Sequence, residues 1–368
     1  MKVLLVGEYS GFHGALKKGL MTHGIECTLL GSGDGFKNMP VDINYLPKPN
    51  KNRFAYLINK QFHIYNTIKS VKGNDIVQFI NPFLFVNNFI QYSYFYNKII
   101  YNQLLNNNPG KAFLTLCGND SLLYEYGIQM LKYNPLEREE KENKKRDKKR
   151  HPLFEQWNVE LAEKINYSIP TTYEYFIGYE TFNKQKNGHI PISKPIPMPI
   201  EIAAYEYKPN HVTGKIKILH GISRIMFKGS DIILSTLEKI KEKYSDKVEV
   251  IIVEKLSFNE YMKVLSEVNI LIDQCNSYAY GINALIGLAM GKVVLSGAEQ
   301  EHLDYMGITD CPVINIQPYQ NQIYTQIENI ILNPENIETI GLQSFEYVKT
   351  YHDAPIVAQQ YIDLWNEK

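Results

Sequence analysis

The chain has 368 residues, 44% of them hydrophobic and 21% charged, with 39 Lys+Arg balanced by 39 Asp+Glu. That length exceeds one ordinary core and fits two domains of roughly 150 to 200 residues. The balanced charge provides no global field for nucleic acid or an anionic membrane, and the widely separated Cys27, Cys117, Cys275 and Cys311 read as buried thiols of a reducing compartment.

Val3 to Val6 is too short for a signal peptide and reads as a first buried strand within residues 2–7. No stretch approaches the roughly 18 apolar residues of a spanning helix, so a cytoplasmic protein is expected. A loop, Glu8 to His13, leads into a short helix closed at Gly24, and Ile25 to Leu30 makes a second strand. This βαβ opening is that of a doubly wound sheet, without the Gly-x-Gly-x-x-Gly fingerprint of a dinucleotide site. Helices are expected over 54–72 and 86–105, with strands over 75–80 and 112–117. The run Phe83 to Tyr96 is dense in Phe and Tyr; it reads as core, the alternative being a face for a lipid-linked or membrane-bound acceptor. Asp120 follows the strand ending at Cys117 and reads either as a helix N-cap or as a ligand-side carboxylate at a strand's carboxyl end.

Residues 137–151 place acidic residues first and basic ones after, a pattern for an exposed helix with Glu-to-Lys pairs or for a mobile loop. Their basic half is the part suited to anionic lipid headgroups and to a peripheral contact with the inner membrane face. A strand is expected over 165–169. Five prolines between 191 and 209 then stiffen the chain into an interdomain connection. Beyond it, strands at 215–219, 248–253, 270–273, 293–296 and 313–316 alternate with helices at 229–244, 257–268, 281–290 and 318–332, a second parallel sheet. The tail is helical, with a break at Tyr351-His352-Asp353.

Within that second half, the strand ending in Ile218-Leu219 runs into His220-Gly221-Ile222-Ser223. Arg224 and Lys228 then precede Gly229 and the next helix. Backbone N–H groups at a helix start, together with two cations, suit a phosphate or diphosphate; the plain reading is two surface cations on a βα loop. Gly281 opens a further helix, where the lack of a side chain lets a phosphate approach the N–H groups of Ile282 and Asn283.

These motifs together resemble the retaining GT-B glycosyltransferases. Arg224 with Lys228-Gly229 is similar to the Arg…Lys-Gly pair that holds the donor diphosphate in that family. Ile270 to Gln274, Tyr280-Gly281 and Ala289 to Val294 resemble the block that meets the sugar nucleotide, and Tyr347 to Trp365 the terminal helices that cross back. The resemblance implies two Rossmann-like parallel-sheet domains facing a cleft, over 1–200 and 201–345, with 346–368 as the crossing helix. It implies transfer from a nucleoside diphosphate sugar to a glycan or lipid-linked hydroxyl with retention, without metal and with no cofactor beyond the donor. The family's two glutamates flanking this glycine correspond to Tyr278 and Ile286, so Tyr278 is left to meet the donor sugar, with Asn283, Gln274 and Glu299 as substitutes. The acceptor is expected on the first domain, against Gly11 to His13 and Asn119-Asp120, with His13 as the side-chain base candidate. The missing glutamates keep open a non-catalytic sugar-nucleotide-binding subunit of a polysaccharide assembly and, more distantly, an epimerase of the same fold.

Overall fold

The computed structural model describes residues 1–48, 52–85, 90–143 and 147–367. The first half alternates β1 (Lys2–Val6), α1 (Phe12–Thr22), β2 (Glu26–Gly31), β3 (Ile43–Asn44), α2 (Arg53–Ser70), β4 (Ile76–Phe79), α3 (Ile90–Asn107) and β5 (Lys111–Leu116). A π-helical turn, Leu123–Gly127, then leads to α4 (Pro135–Asn143), α5 (Pro152–Ala162), β6 (Tyr167–Pro170) and α6 (Tyr173–Lys186). The second half begins with β7 (Ile216–Ile222), the four-residue α7 (Ile225–Lys228), α8 (Ser230–Lys243), β8 (Val248–Glu254) and α9 (Phe258–Ser266). It continues through β9 (Ile270–Ile272), α10 (Ile282–Ala289), β10 (Val293–Ser296), α11 (Gln300–Met306) and β11 (Ile314–Asn315). Three helices close the chain: α12 (Gln320–Leu332), α13 (Asn336–Tyr351) and α14 (Ala354–Asn366).

The strands form a six-stranded sheet, β3-β2-β1-β4-β5-β6, and a five-stranded one, β11-β10-β9-β7-β8. Every pairing is parallel, with Val3 opposite Cys27 and Ile76, and Ile218 opposite Val250 and Ile270. Helices cover both faces, so Val3 to Val6 are wholly buried and the strand shows no polar alternation. In each sheet the order reverses beside the first strand, between β1 and β4 and between β7 and β9. Connections leave such a switch point to opposite faces, which opens a crevice at the strands' carboxyl ends.

Two chain crossings lie side by side between the sheets. The Pro-rich connector reaches Ile200, whose N–H donates to the His352 carbonyl (2.8 Å) while the Ala354 N–H donates to the Ile200 carbonyl (3.0 Å). Past this break α14 packs on α1 of the first sheet's layer. The Trp365 indole N–H donates to Gln78 Oε1 (3.2 Å) and Lys111 Nζ to the Trp365 carbonyl (2.9 Å). Gly19 permits this approach, since a Cβ there would lie 2.0 Å from the Ala354 carbonyl oxygen.

Besides the helical readings at Asp120 and over 137–151 and the strand over 165–169, the region between β5 and the connector holds α5 and α6, neither of them expected from the sequence. Phe83, Phe85, Tyr94 and Tyr96 of the aromatic run are buried, whereas Tyr92 and Phe95 are exposed; Phe89 lies outside the described residues. In the charged run, Lys144, Lys145 and Arg146, on which the lipid-facing expectation also rests, likewise lie outside them, while Lys149 and Arg150 of its basic half bond to the protein. Lys149 Nζ donates to the Asn119 carbonyl (2.8 Å), and Arg150 pairs with Glu125 (3.0 Å) and Glu140 (3.2 Å). Among the described residues no helix is long and apolar enough to cross a membrane.

Candidate functional site

The second sheet's switch point carries the predicted anion loop. His220, near the end of β7, is buried and acts as a strut. Its Nδ1–H donates to the Ile272 carbonyl (2.9 Å) and its Nε2 accepts from the Ser230 hydroxyl (2.9 Å). Burial drives its pKa down to about 4, which keeps the ring neutral. Arg224 (φ 50°) and Gly229 (φ 74°) both adopt left-handed backbone and bracket the turn of α7. At Gly229 a Cβ would also lie 2.4 Å from Cys275 Sγ, so glycine is required for space as well as for backbone. The β9–α10 loop ties the turn down, through the Cys275 N–H to the Lys228 carbonyl (2.9 Å) and the Asn276 amide to the Met226 carbonyl (2.6 Å).

Lys228 and α10 meet at Asp273, just past β9. Lys228 Nζ lies 2.7 Å from Asp273 Oδ1, and the Asn283 amide donates to the same oxygen (2.8 Å). Burial works to raise the Asp273 pKa, but the Lys228 ammonium and these hydrogen bonds outweigh it and hold the carboxyl below its ordinary value. α10 starts at Gly281 without a side-chain cap, and a Cβ on Gly281 would meet nothing within 4 Å. Open space therefore faces the N–H groups of Ile282 and Asn283, beside the Lys228 ammonium. A helix start, a cation and an amide thus share one crevice, a combination suited to an anion.

Arg224 completes the cationic set in a paired form. Its guanidinium lies over the Phe227 ring (3.6 Å) and bonds Glu139 of α4 through Nε (3.0 Å) and Nη2 (2.6 Å). Neighbouring Arg138 reaches Asp231 (2.6 Å) and Asn276 (3.2 Å). The charged helix of the first half thus clasps the anion loop of the second. Both predicted cations carry carboxylate partners, which spacing along the sequence did not reveal.

Tyr278 stands in the wall between the domains. It is 2% exposed, its hydroxyl accepts the Lys132 N–H (2.9 Å), and its ring stacks with Tyr173 at 6.1 Å. A side chain so enclosed does not face the crevice, contrary to the expectation of a donor-sugar contact. Its backbone N–H donates to Glu174 of α6 (3.0 Å), which also accepts from the Ser277 hydroxyl (2.9 Å). Burial raises the Glu174 pKa to about 7 against the pull of these donors. Ile286 is 6% exposed and lines the core. Gln274 donates to the Ala279 carbonyl (2.9 Å), and Glu299 accepts from Tyr133 (2.6 Å), Asn315 (2.8 Å) and Gln317 (2.8 Å). Of the proposed substitutes, only Asn283 belongs to the anion crevice.

At the first sheet's switch point the expected residues are engaged internally. Glu8, missed in the sequence, accepts the N–H groups of Gly11 (2.7 Å) and Gly14 (2.7 Å) and so occupies the α1 start that Gly11 was to offer a ligand. Burial raises its pKa to about 7. His13 is fully buried; its Nδ1–H donates to the Gly7 carbonyl (2.8 Å), Nε2 has no partner among the described residues, and burial takes its pKa down to about 3. Asp120 is also enclosed, accepting the Leu123 N–H (2.9 Å) and the Tyr179 hydroxyl (3.0 Å). These bonds fit its N-cap reading. Open space on this side is a cavity of about 100 Å³ lined by Ser32, Tyr45, Gln61, Leu84, Phe85 and Tyr96 among others.

No family model matches the chain, and no curated protein matches it. Solved structures match over its whole length. Sucrose-phosphate synthase from Thermosynechococcus elongatus superposes with a TM-score of 0.63 at 13% identity, covering 99% of this chain and 98% of that one. Anabaena HepE, solved with UDP-glucose, gives 0.59 at 13% identity over 99% of both chains. UDP-GlcNAc 2-epimerase from Neisseria meningitidis, bound to UDP-GlcNAc, gives 0.52 at 10% identity over 99% of both. With the two doubly wound sheets and the returning α14, these likenesses establish the GT-B fold.

Proposed function

We propose that the chain is a glycosyltransferase that moves a sugar from a nucleoside diphosphate sugar to a hydroxyl of a glycan or lipid-linked acceptor. The observation that carries this reading is the crevice at the second sheet's switch point, where Lys228 and the open, uncapped start of α10 converge on Asp273. The UDP-glucose complex of HepE, which shares the fold, supports a donor of this class. In the reaction the bond from the anomeric carbon to the diphosphate oxygen breaks and a bond to the acceptor oxygen forms. Lys228, Arg224 and the N–H groups of Ile282 and Asn283 stabilise the charge that builds on the leaving diphosphate. The acceptor proton passes to a leaving phosphate oxygen, so no side-chain base is needed, the configuration is retained and the reading asks no metal of the site. Burial of His13 favours this route over a histidine base.

One observation favours a second reading, a non-catalytic sugar-nucleotide-binding subunit: position 278 presents an enclosed tyrosine and position 286 a buried isoleucine. An assay of nucleoside diphosphate release from a panel of sugar nucleotides, with glycan and lipid-linked acceptors, separates the two. Acceptor-dependent release is the outcome expected of a transferase. Saturable binding with no release across the panel assigns the subunit, and conversion of the donor sugar without an acceptor assigns the epimerase.

A further inference from the structure

The surface that the candidate site leaves unexplained lies on α2 and α3. Residues 43–119 hold eight Lys and Arg against the single acid Asp75, a net charge of +7 with His neutral, in a chain whose total is +0. Neither helix contains an Asp or Glu. Large apolar side chains stand exposed on both: Phe62 (66%) and Tyr65 on α2, and Tyr92, Phe95 (60%) and Ile99 on α3. Their spacing puts each set on one helical face. The two faces adjoin, since the Tyr96 hydroxyl donates to the Gln61 carbonyl (2.9 Å) and Tyr92 stacks on Tyr96 at 5.5 Å. Lys69 continues the α2 face one turn further, and Lys69 and Lys72 are both exposed. Lys98 and Lys111 play no part, being engaged with Glu160 and with the Trp365 carbonyl.

A contiguous aromatic patch on a soluble surface marks a site of interaction. Its surroundings decide the partner. Exposed lysines beside exposed aromatic rings, with no carboxylate on either helix, match an anionic bilayer: rings enter the headgroup boundary while ammonium groups meet lipid phosphates. We propose that the α2–α3 face docks this protein on an anionic lipid membrane. The same helices wall the first-domain cavity through Gln61, Ile64 and Tyr96, and not through their exposed rings. Docking by this face is independent of whether sugar is transferred.

The test is flotation of the full chain with vesicles of phosphatidylcholine alone or mixed equally with phosphatidylglycerol. Binding is expected on the mixed vesicles and little on the neutral ones. Phe62→Ser/Phe95→Ser should lower vesicle affinity by at least about tenfold, from the apolar area kept out of the bilayer. Lys69→Gln/Lys72→Gln should lower it by about fivefold per charge, and only on the anionic vesicles. Phe258→Ser, which removes an equally exposed ring (56%) from α9 of the second domain, should bind like the parent. No binding to anionic vesicles, or binding by the Phe62/Phe95 variant equal to the parent's, would overturn the proposal. So would self-association abolished by that variant without vesicle binding, which would assign the face to a second copy of the chain.

Discussion

Asp273 sets the charge of the anion loop. Its carboxylate neutralises Lys228 and holds the ammonium in place, so under the proposed reading a diphosphate would meet a cation already oriented, its field partly spent on a fixed partner. Arg224 is different, because Glu139 sits on a separate helix and both side chains are partly exposed, 50% and 27%. Under the proposed reading a donor diphosphate would compete with Glu139 for one guanidinium. Exposed pairs of this kind are worth about 0.2–1 kcal/mol, so Glu139→Gln should tighten nucleoside diphosphate binding by about that amount, as read by calorimetry; unchanged or weaker binding would refute the competition. Glu174 predicts a pH effect. Its folded pKa, raised by burial to about 7, lies above the ordinary 4.5, so the folded chain holds a proton that the unfolded chain releases between these values. Stability from this group is therefore present below about pH 4.5 and lost as pH rises through about 7, on the order of 3 kcal/mol. Glu174→Gln should flatten that part of a melting-temperature profile, and an equally steep profile in the variant would place the titration elsewhere.

The elements of the site divide by what they ask of their residues. α10 needs an open start, and Gly281 supplies it with extended backbone (φ −109°) that alanine also adopts. Gly281→Ala should therefore melt like the parent while losing about 1.5–3 kcal/mol of donor binding, the worth of one charge-assisted hydrogen bond. Equal donor affinity would remove the α10 start from the site. The elements of this crevice were legible in sequence because each announces itself locally: an apolar run for β7 and β9, glycines at 229 and 281, cations at 224 and 228. The first domain's candidates were less so. Asp120 lies just past β5 as expected, whereas Gly11 caps α1 and His13 sits inside that helix rather than in the expected loop. Their ligand roles turned on whether Glu8, Gly7 and Tyr179 already satisfied them, which is a matter of three-dimensional pairing that spacing does not encode. Glu139 and Glu174 were hidden for the same reason, as both act across the domain boundary on residues far along the chain.

At the scale of the molecule, the two doubly wound sheets followed from strand–helix alternation and a proline-dense connector. The returning tail followed from its helical pattern and the break at 351–353. Strand order did not, and strand order is what puts Lys228, Asp273 and Gly281 in one crevice. The tail makes the halves one molecule: Trp365, 2% exposed and bonded to Gln78, is a second-half residue buried in the first half's layer. Trp365→Ala should cost about 3–5 kcal/mol in denaturant unfolding; a cost below about 1 kcal/mol would show that α14 is peripheral to the fold.

The proposed function requires that the crevice of Lys228, Asp273 and the α10 start hold a diphosphate. Lys228→Ala alone would strand the buried Asp273 carboxylate, so the informative variant is Lys228→Ala/Asp273→Asn, which removes both charges. Calorimetric titration with UDP, ADP and GDP should show binding of at least one by the parent, weakened by about 1.5–3 kcal/mol in the variant. Equal affinity in the two proteins, or no binding by the parent to any of the three, would overturn the diphosphate assignment.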